Sequence, residues 1–427
     1  MNWAKLVAIS TIVLVSVVAV AWVSIPPVEE EEEIPKPIMR NITIGVIPGV
    51  DENDPTYRLL TSIAQDDINS YCEENGIDFR FRFNLSAPVE MAEQALTYTK
   101  AFRASGVDMI LGYAWSSHLC SGARVYGYNK TMALMTPSAS SYVYALRNTT
   151  LYHMCILDID PLVTMLKAMR DRGVETYLVI ENPGYGEAGN LIHEVYHKVK
   201  PLGFVSNRTV EYTYGSPVDF FMTKADTTLG EMIDSYGVNQ TAVLWLGFPQ
   251  PPESPGIGGE QFLEMAASYA SLSRVTWYMF DYAGGRKGIA RVIGDVDAKL
   301  KLINLEMVLE PNPIYDRLNR AWVNETNLSG PMGYYNANIY DGLWVLSLSA
   351  IRANSTEPLD IWRVLPSVAS EYVGATGRCT LNEFGARMGA DYRVYAYFEV
   401  DGKVTSIPCG SYSWESDRFT WDESLLG

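Results

Sequence analysis

Basic residues are scarce in this 427-residue sequence. Lys and Arg number 33 against 50 Asp and Glu, a formal net charge of −17. A surface of that sign repels phosphate backbones, which argues against nucleic acid as a partner. Catalytic signatures are also thin. There is no Gly-x-Ser-x-Gly elbow, no phosphate-cradling P-loop and no Cys-x-x-Cys pair, so the common hydrolase, nucleotide-binding and dithiol readings lack their motifs. No cofactor is implied. Long apolar runs are missing as well, with one exception at the start of the chain. No Cys follows that run, which excludes a lipid-modified Cys at a cleavage site.

The exception is Leu6 to Val23, eighteen residues without a charge, preceded by Lys5. As a helix it reaches about 27 Å, close to the hydrocarbon thickness of a bilayer. Residues 1–23 therefore read as a signal peptide or a membrane anchor, and either implies export. Residues 24–40 read as a tether, stiffened by Pro26, Pro27, Pro35 and Pro37 and extended by repulsion among Glu29 to Glu33. Nine Asn-x-Ser/Thr sequons begin at Asn41, Asn84, Asn129, Asn148, Asn207, Asn239, Asn324, Asn327 and Asn354. About three are expected by chance, so the excess points to an outside location and a glycosylated surface. The five Cys residues suit an oxidising compartment. Cys379 and Cys409 flank two C-terminal strand patterns and are expected to form a disulfide; Cys120 with Cys155 is a weaker pairing, which leaves Cys72 free.

From residue 42 short apolar runs alternate with amphipathic segments, the pattern of βα units on parallel sheets. Strands are expected at 42–50, 79–85, 107–113, 132–138, 175–181, 208–214, 241–247 and 275–281. Helices are expected at 58–74, 90–105, 162–172, 187–200, 226–236, 259–271 and 337–353. Segments 391–400 and 403–408 flank Asp401-Gly402, a hairpin signal. The two βα series are similar in length, and two α/β lobes are the simplest reading.

The segments IGVIPG, DINSYCEENG, SGVDMILGYAWSS, TPSASS, IENPGYGEAG, TAVLWLGF, NANIYDGLWVLSLSAI and GATGRCTLNEFG…YRVYAYFEVDGK follow one another in a telling order. Together they resemble the branched-chain amino-acid-binding proteins of ABC transporters, over nearly all of residues 42–405. That resemblance implies the type 1 periplasmic-binding fold: two Rossmann-like lobes with parallel sheets joined by three crossover strands. It places 41–157 plus 285–380 in the first lobe and 158–284 plus 381–427 in the second. It also implies a non-enzymatic solute-binding protein, taking an amino acid or similar small polar solute between the lobes and delivering it to a permease and its ATPase.

In open parallel sheets, ligands sit beyond the carboxyl ends of the strands, where helix N-termini expose backbone N–H groups. After VDMILGY come Ser116 and Ser117 at an expected helix start, where a serine caps the helix. After MALMT comes PSASS, with Ser138, Ala139 and Ser140. The resemblance gives Ser116 and the 138–140 group the α-carboxylate and amino group of the ligand. It gives Tyr185 and Phe248 the role of aromatic walls, and Asp281 the ligand ammonium. Tyr113, Trp115 and Tyr282 are aromatic candidates for a side-chain pocket. The sequence departs from the family in PGVDENDPTYR after the first strand and in PQPPESPGIGG at 249–259, which leaves the solute open.

Two other readings compete. His193-Glu194-Val195-Tyr196-His197 matches the H-E-x-x-H signature, in which two His residues on one helix face hold zinc and the Glu acts as general base. Lys198 and the absence of a well-spaced third ligand speak against it, and the apolar stripe Leu191, Ile192, Val195 and Val199 leaves both His residues toward solvent. The other reading is a sensory ectodomain, disfavoured because no cytoplasmic signalling segment is seen.

Overall fold

In a computed structural model, residues 39–49, 55–139, 149–181, 200–211, 218–246, 259–280, 300–309, 311–326, 331–400 and 403–426 are described. The apolar run at 6–23 and almost all of the tether lie outside them. Among the described residues no helix is long and apolar enough to cross a membrane.

The chain begins with β1 (Arg40–Ile47), α1 (Thr56–Glu74), β2 (Phe79–Leu85), α2 (Ala92–Ala104), β3 (Met109–Gly112), α3 (Ser116–Gly122), β4 (Ala133–Thr136) and β5 (Leu151–His153). These strands form a five-stranded sheet in the order β2-β1-β3-β4-β5, parallel from β1 through β5. The local causes are plain in the residues. In α1, Leu60, Ala64, Ile68 and Cys72 recur every fourth position and are all buried, a stripe along one helix face. In β2, Phe79, Phe81 and Phe83 are buried while Arg80 and Arg82 are exposed, the period of a strand with one wet face. Every residue of β3 and β4 is buried, as expected of inner parallel strands covered on both sides.

The second series holds α4 (Ile159–Asp171), β6 (Thr176–Glu181), β7 (Ser206–Glu211), α5 (Val218–Tyr236), β8 (Thr241–Leu246), α6 (Gly259–Ser268), β9 (Thr276–Phe280) and β10 (Lys301–Met307). The chain then returns to the first core with α7 (Pro313–Thr326), α8 (Tyr334–Ala353) and α9 (Pro358–Glu371). It passes through a two-stranded turn, β11 (Val373–Gly374) with β12 (Gly377–Arg378). It ends with β13 (Tyr392–Val400), β14 (Lys403–Ser413), β15 (Arg418–Trp421) and α10 (Glu423–Leu426). The second sheet has eight strands in the order β15-β14-β13-β10-β9-β8-β6-β7. Strands β7, β6, β8, β9 and β10 are parallel, and β13, β14 and β15 add antiparallel to β10. Val400 pairs with Lys403, so the hairpin signal at Asp401-Gly402 does join two antiparallel strands.

Leu343 and Leu346 of α8 pack with Leu111 and Met135 on one face of the first sheet, while Leu119 and Ala123 cover the other with Leu134. In the second sheet, Leu162, Met165, Leu166 and Met169 of α4 fill one face, and Met222, Leu229, Met232 and Leu263 from α5 and α6 fill the other.

The expected disulfides do not form: all five Cys residues are free and buried. The reason is that Cys379 belongs to the core of the first sheet and Cys409 to that of the second. The Cys409 thiol faces the Val394 carbonyl at 3.6 Å. Burial pushes the Cys409 thiol up to about 11 and the Cys379 thiol, beside Asp341, up to about 12. Cys120 and Cys155 are likewise not bridged.

Candidate functional site

The carboxyl ends of β3 and β4 lie side by side in parallel register, Leu111 opposite Met135, and their following loops converge. Trp115, in extended backbone, is the N-cap of α3 and supplies no side-chain cap. Ser116 is thus the first residue of the helix, not its cap, half-buried, with Ser117 exposed beside it. The helical run continues from α3 without a break through Ala123–Gly127. Its first turn presents backbone N–H groups to which Trp115 offers no side-chain acceptor, the feature that favours an anion.

The other loop is held from within. Thr136 ends β4, fully buried, and its Oγ1 donates to the Tyr113 carbonyl at 2.8 Å. The same oxygen accepts the Ala139 N–H at 2.8 Å and the Ser138 N–H at 3.2 Å. Ser138 Oγ donates to the Ala114 carbonyl at 3.0 Å, tying the two loops together. The Ala139 carbonyl meets His153 Nδ1 at 2.7 Å and the Cys155 thiol at 3.3 Å. Asn338 of α8, fully buried, donates to the Pro137 carbonyl at 3.1 Å. Three carbonyls and two amides of this wall are therefore fixed by buried polar groups. Of the residues that the sequence proposes for the site, Ser116, Ser117 and Ser138 come together here, whereas Ala139 is buried behind the surface. Tyr113 is core as well: its hydroxyl meets Thr99 Oγ1 at 2.6 Å, and burial raises it well above the usual phenol range. Trp115 remains exposed at 39%.

Behind that wall runs a longer network that local spacing does not reveal. Asp341 of α8 is fully buried. It accepts the Ala375 N–H at 2.7 Å, the Thr376 N–H at 2.8 Å and the Thr376 hydroxyl at 2.5 Å. Gly374 lies so close that a Cβ there would collide with the Asp341 carboxylate. Burial raises the Asp341 carboxyl above its ordinary range, opposed by these hydrogen bonds and by Arg387. Arg387, 4% exposed, donates to Thr376 Oγ1 at 2.5 Å and to the Thr376 carbonyl at 2.6 Å. It also reaches Asn338 Oδ1 at 3.4 Å and lies over the Tyr334 ring, 5.9 Å from its centroid. Its backbone N–H reaches the His153 carbonyl at 3.0 Å, and the His153 N–H reaches the Gly385 carbonyl at 2.8 Å. Arg387 thus stands where the segment after β12 crosses the one leaving β5 on its way to α4.

On the second sheet, Glu181 and Glu211 end neighbouring strands in register. Burial, and then the Glu211 charge, push the Glu181 carboxyl up to about 7. Asn304 of β10 is fully buried, and neither its Oδ1 nor its Nδ2 has a hydrogen-bond partner. Ser140, Tyr185, Phe248, Asp281 and Tyr282 lie outside the described residues, as do His193, Glu194 and His197. Among the described residues no group of three or more His, Cys, Asp or Glu could hold a metal ion.

No protein-family model matches the chain, and no curated protein matches it by sequence. Solved structures do. An ABC transporter substrate-binding protein of Desulfitobacterium hafniense in complex with Leu superposes with a TM-score of 0.62 at 14% identity, covering 86% of this chain and 100% of its own. A leucine-binding protein, LivK, of Thermotoga maritima gives 0.61 at 16% identity, covering 88% and 99%. A solute-binding protein of an ABC transporter from R. palustris, in complex with benzoate, gives 0.56 at 11% identity, covering 90% and 99%. Two α/β sheets in this connectivity, matched over the full length of such neighbours, identify the chain as having the type 1 periplasmic-binding fold.

Proposed function

We propose that the protein is an exported, non-enzymatic solute-binding protein of an ABC transporter, and that its solute is a small carboxylate, with an amino acid first among them. The observation that carries this reading is the serine-bearing start of α3, whose cap residue supplies no side-chain acceptor, set against the braced loop after β4. An anion seated there gains charge-assisted hydrogen bonds from groups already in place. The solutes in the neighbouring structures include leucine, isoleucine and benzoate, which differ in most respects and share a carboxylate.

In this reading residues 41–157 and 285–380 make up the first lobe, with β10 lent to the second sheet, and 158–284 and 381–427 make up the second. Ser116, Ser117 and the 138–140 loop hold the carboxylate. Tyr185, Phe248 and Asp281 approach from the second lobe, with Asp281 facing an ammonium when the solute carries one. Binding shifts the population toward a closed form, which docks on a permease served by an ATPase. Export by the N-terminal segment, tethering through 24–40 and glycosylation of the sequons belong to the same reading.

A thermal-shift screen of the full chain against amino acids and aromatic acids, each paired with its amide, tests it. At least one carboxylate raises the melting temperature, its amide does so less, and Ser117→Ala shrinks the shift. If no carboxylate shifts the transition, or acid and amide act alike, the reading is wrong.

A further inference from the structure

Glu181 is a buried acid for which the fold provides no partner, and its place in the second sheet gives it one. We infer that Glu181 receives a second cationic group of the solute, so that the solute is an amino acid with a basic side chain, of the lysine and arginine class. This rests on the carboxylate reading above. The chain runs from β6 outward to β7, then returns across β6 to β8, β9 and β10. The direction of winding therefore reverses between β6 and β8. In open α/β sheets a ligand lies in the crevice outside the carboxyl ends of the two strands at such a reversal. Those ends are Glu181 and Leu246, opposite one another in register. The first sheet has the same order, with its reversal between β1 and β3, and there the loop after β3 leads to Ser116 and Ser117.

The carboxyl-terminal halves of β6 and β8 are otherwise apolar, Leu178 to Ile180 in one and Val243 to Leu246 in the other. Glu181 is 2% exposed at their end. Among the described residues no hydrogen bond or ion pair reaches its carboxylate, and its charged neighbour in register, Glu211, is itself an acid. A buried carboxylate without a partner is costly. A cation in the crevice supplies what is missing: a charge-assisted hydrogen bond to Glu181, reinforced by the exposed Glu211 charge. That cation is a different group from the α-ammonium that Asp281 faces in the reading above. Asp281 follows Phe280, which ends β9, and β9 lies two strands from β6, a spacing of about 10 Å. One ammonium does not meet both acids. A solute with an α-ammonium and a distal ammonium or guanidinium does, while its carboxylate stays on the serines.

Isothermal titration calorimetry on the full chain tests this with two pairs of solutes, lysine against norleucine and arginine against citrulline. Each pair shares the amino-acid end and differs in the distal charge. The basic member is expected to bind about tenfold to a hundredfold more tightly. In Glu181→Gln, which keeps the shape and removes the charge, that ratio is expected to fall toward one. Glu181→Asp, a shorter acid, is expected to keep part of it, and Glu211→Gln most of it. Thermal unfolding of each variant without solute checks that it is folded. If no carboxylate of any kind binds, the carboxylate reading fails and this inference with it. If carboxylates bind but neither basic amino acid binds more tightly than its neutral counterpart, the inference alone fails. A preference for the basic member that persists in Glu181→Gln also overturns it, because the cation then rests elsewhere.

Discussion

Two buried polar sites, one behind each sheet, are treated in opposite ways. Behind the first sheet, buried Asp341 accepts from Ala375 and Thr376, and buried Arg387 donates to Thr376. The second sheet buries the amide of Asn304 and provides it with no hydrogen bond. An ionised group deep in a protein persists only when paired and hydrogen-bonded. The pairing around Arg387 therefore marks a place where the fold needs a rigid joint. That joint sits where crossing segments meet and directly behind the loop that holds Ser138. The contrast separates a braced wall, assembled from segments far apart in the chain, from a single position in the second sheet, Asn304, whose amide is left unused.

Removing the joint has the largest expected effect. Asp341→Ala leaves two amides and a hydroxyl without their acceptor and removes the carboxylate whose charge faces Arg387, and is expected to cost about 3–5 kcal/mol. Urea denaturation of the variant against wild type measures this; a loss below about 1 kcal/mol would mean that the network contributes little.

Next comes the pH dependence of the second sheet. The folded carboxyl of Glu181 is raised, so the folded state holds a proton that the unfolded state releases first. Its contribution to stability is present below the ordinary glutamate range and is lost as pH rises from about 4.5 to about 7. Glu181→Gln, neutral throughout, is expected to flatten that part of the stability-against-pH curve. An unchanged slope would place the proton elsewhere.

The smallest effect has the opposite sign to the first. Asn304→Leu replaces an amide without partners by a side chain of similar size, and is expected to stabilise by about 1–2 kcal/mol in thermal or urea unfolding. A loss of stability would show that Asn304 is satisfied by water or by a bound guest. The Asn304 site would then resemble the Asp341 site more than it does here.

The legible part of the fold is the part written locally. The largely apolar runs of β3, β6 and β8, the fourfold spacing in α1 and the hairpin at Asp401-Gly402 depend on neighbours in sequence. Strand β10 escapes such a reading because Lys301, Asn304 and Glu306 interrupt its apolar pattern, although it sits in the middle of the second sheet. The serines do mark the start of α3, but the capping role expected of them does not hold, since Trp115 takes the cap position. The bracing of the wall is invisible for a different reason. Asn338 reaches Pro137, and Arg387 reaches His153, across some two hundred residues, and no short pattern encodes such a meeting. The same lack of tertiary information lies behind the expected bridge between Cys379 and Cys409, two thiols that the fold assigns to different cores.

The central claim, that two lobes close on a carboxylate held by the serine-bearing wall, has a direct measurement. Small-angle X-ray scattering of the protein, with and without a saturating amount of the carboxylate that gives the largest thermal shift, reports the radius of gyration. The account predicts a smaller radius in the bound state. An unchanged radius at demonstrated saturation would contradict it.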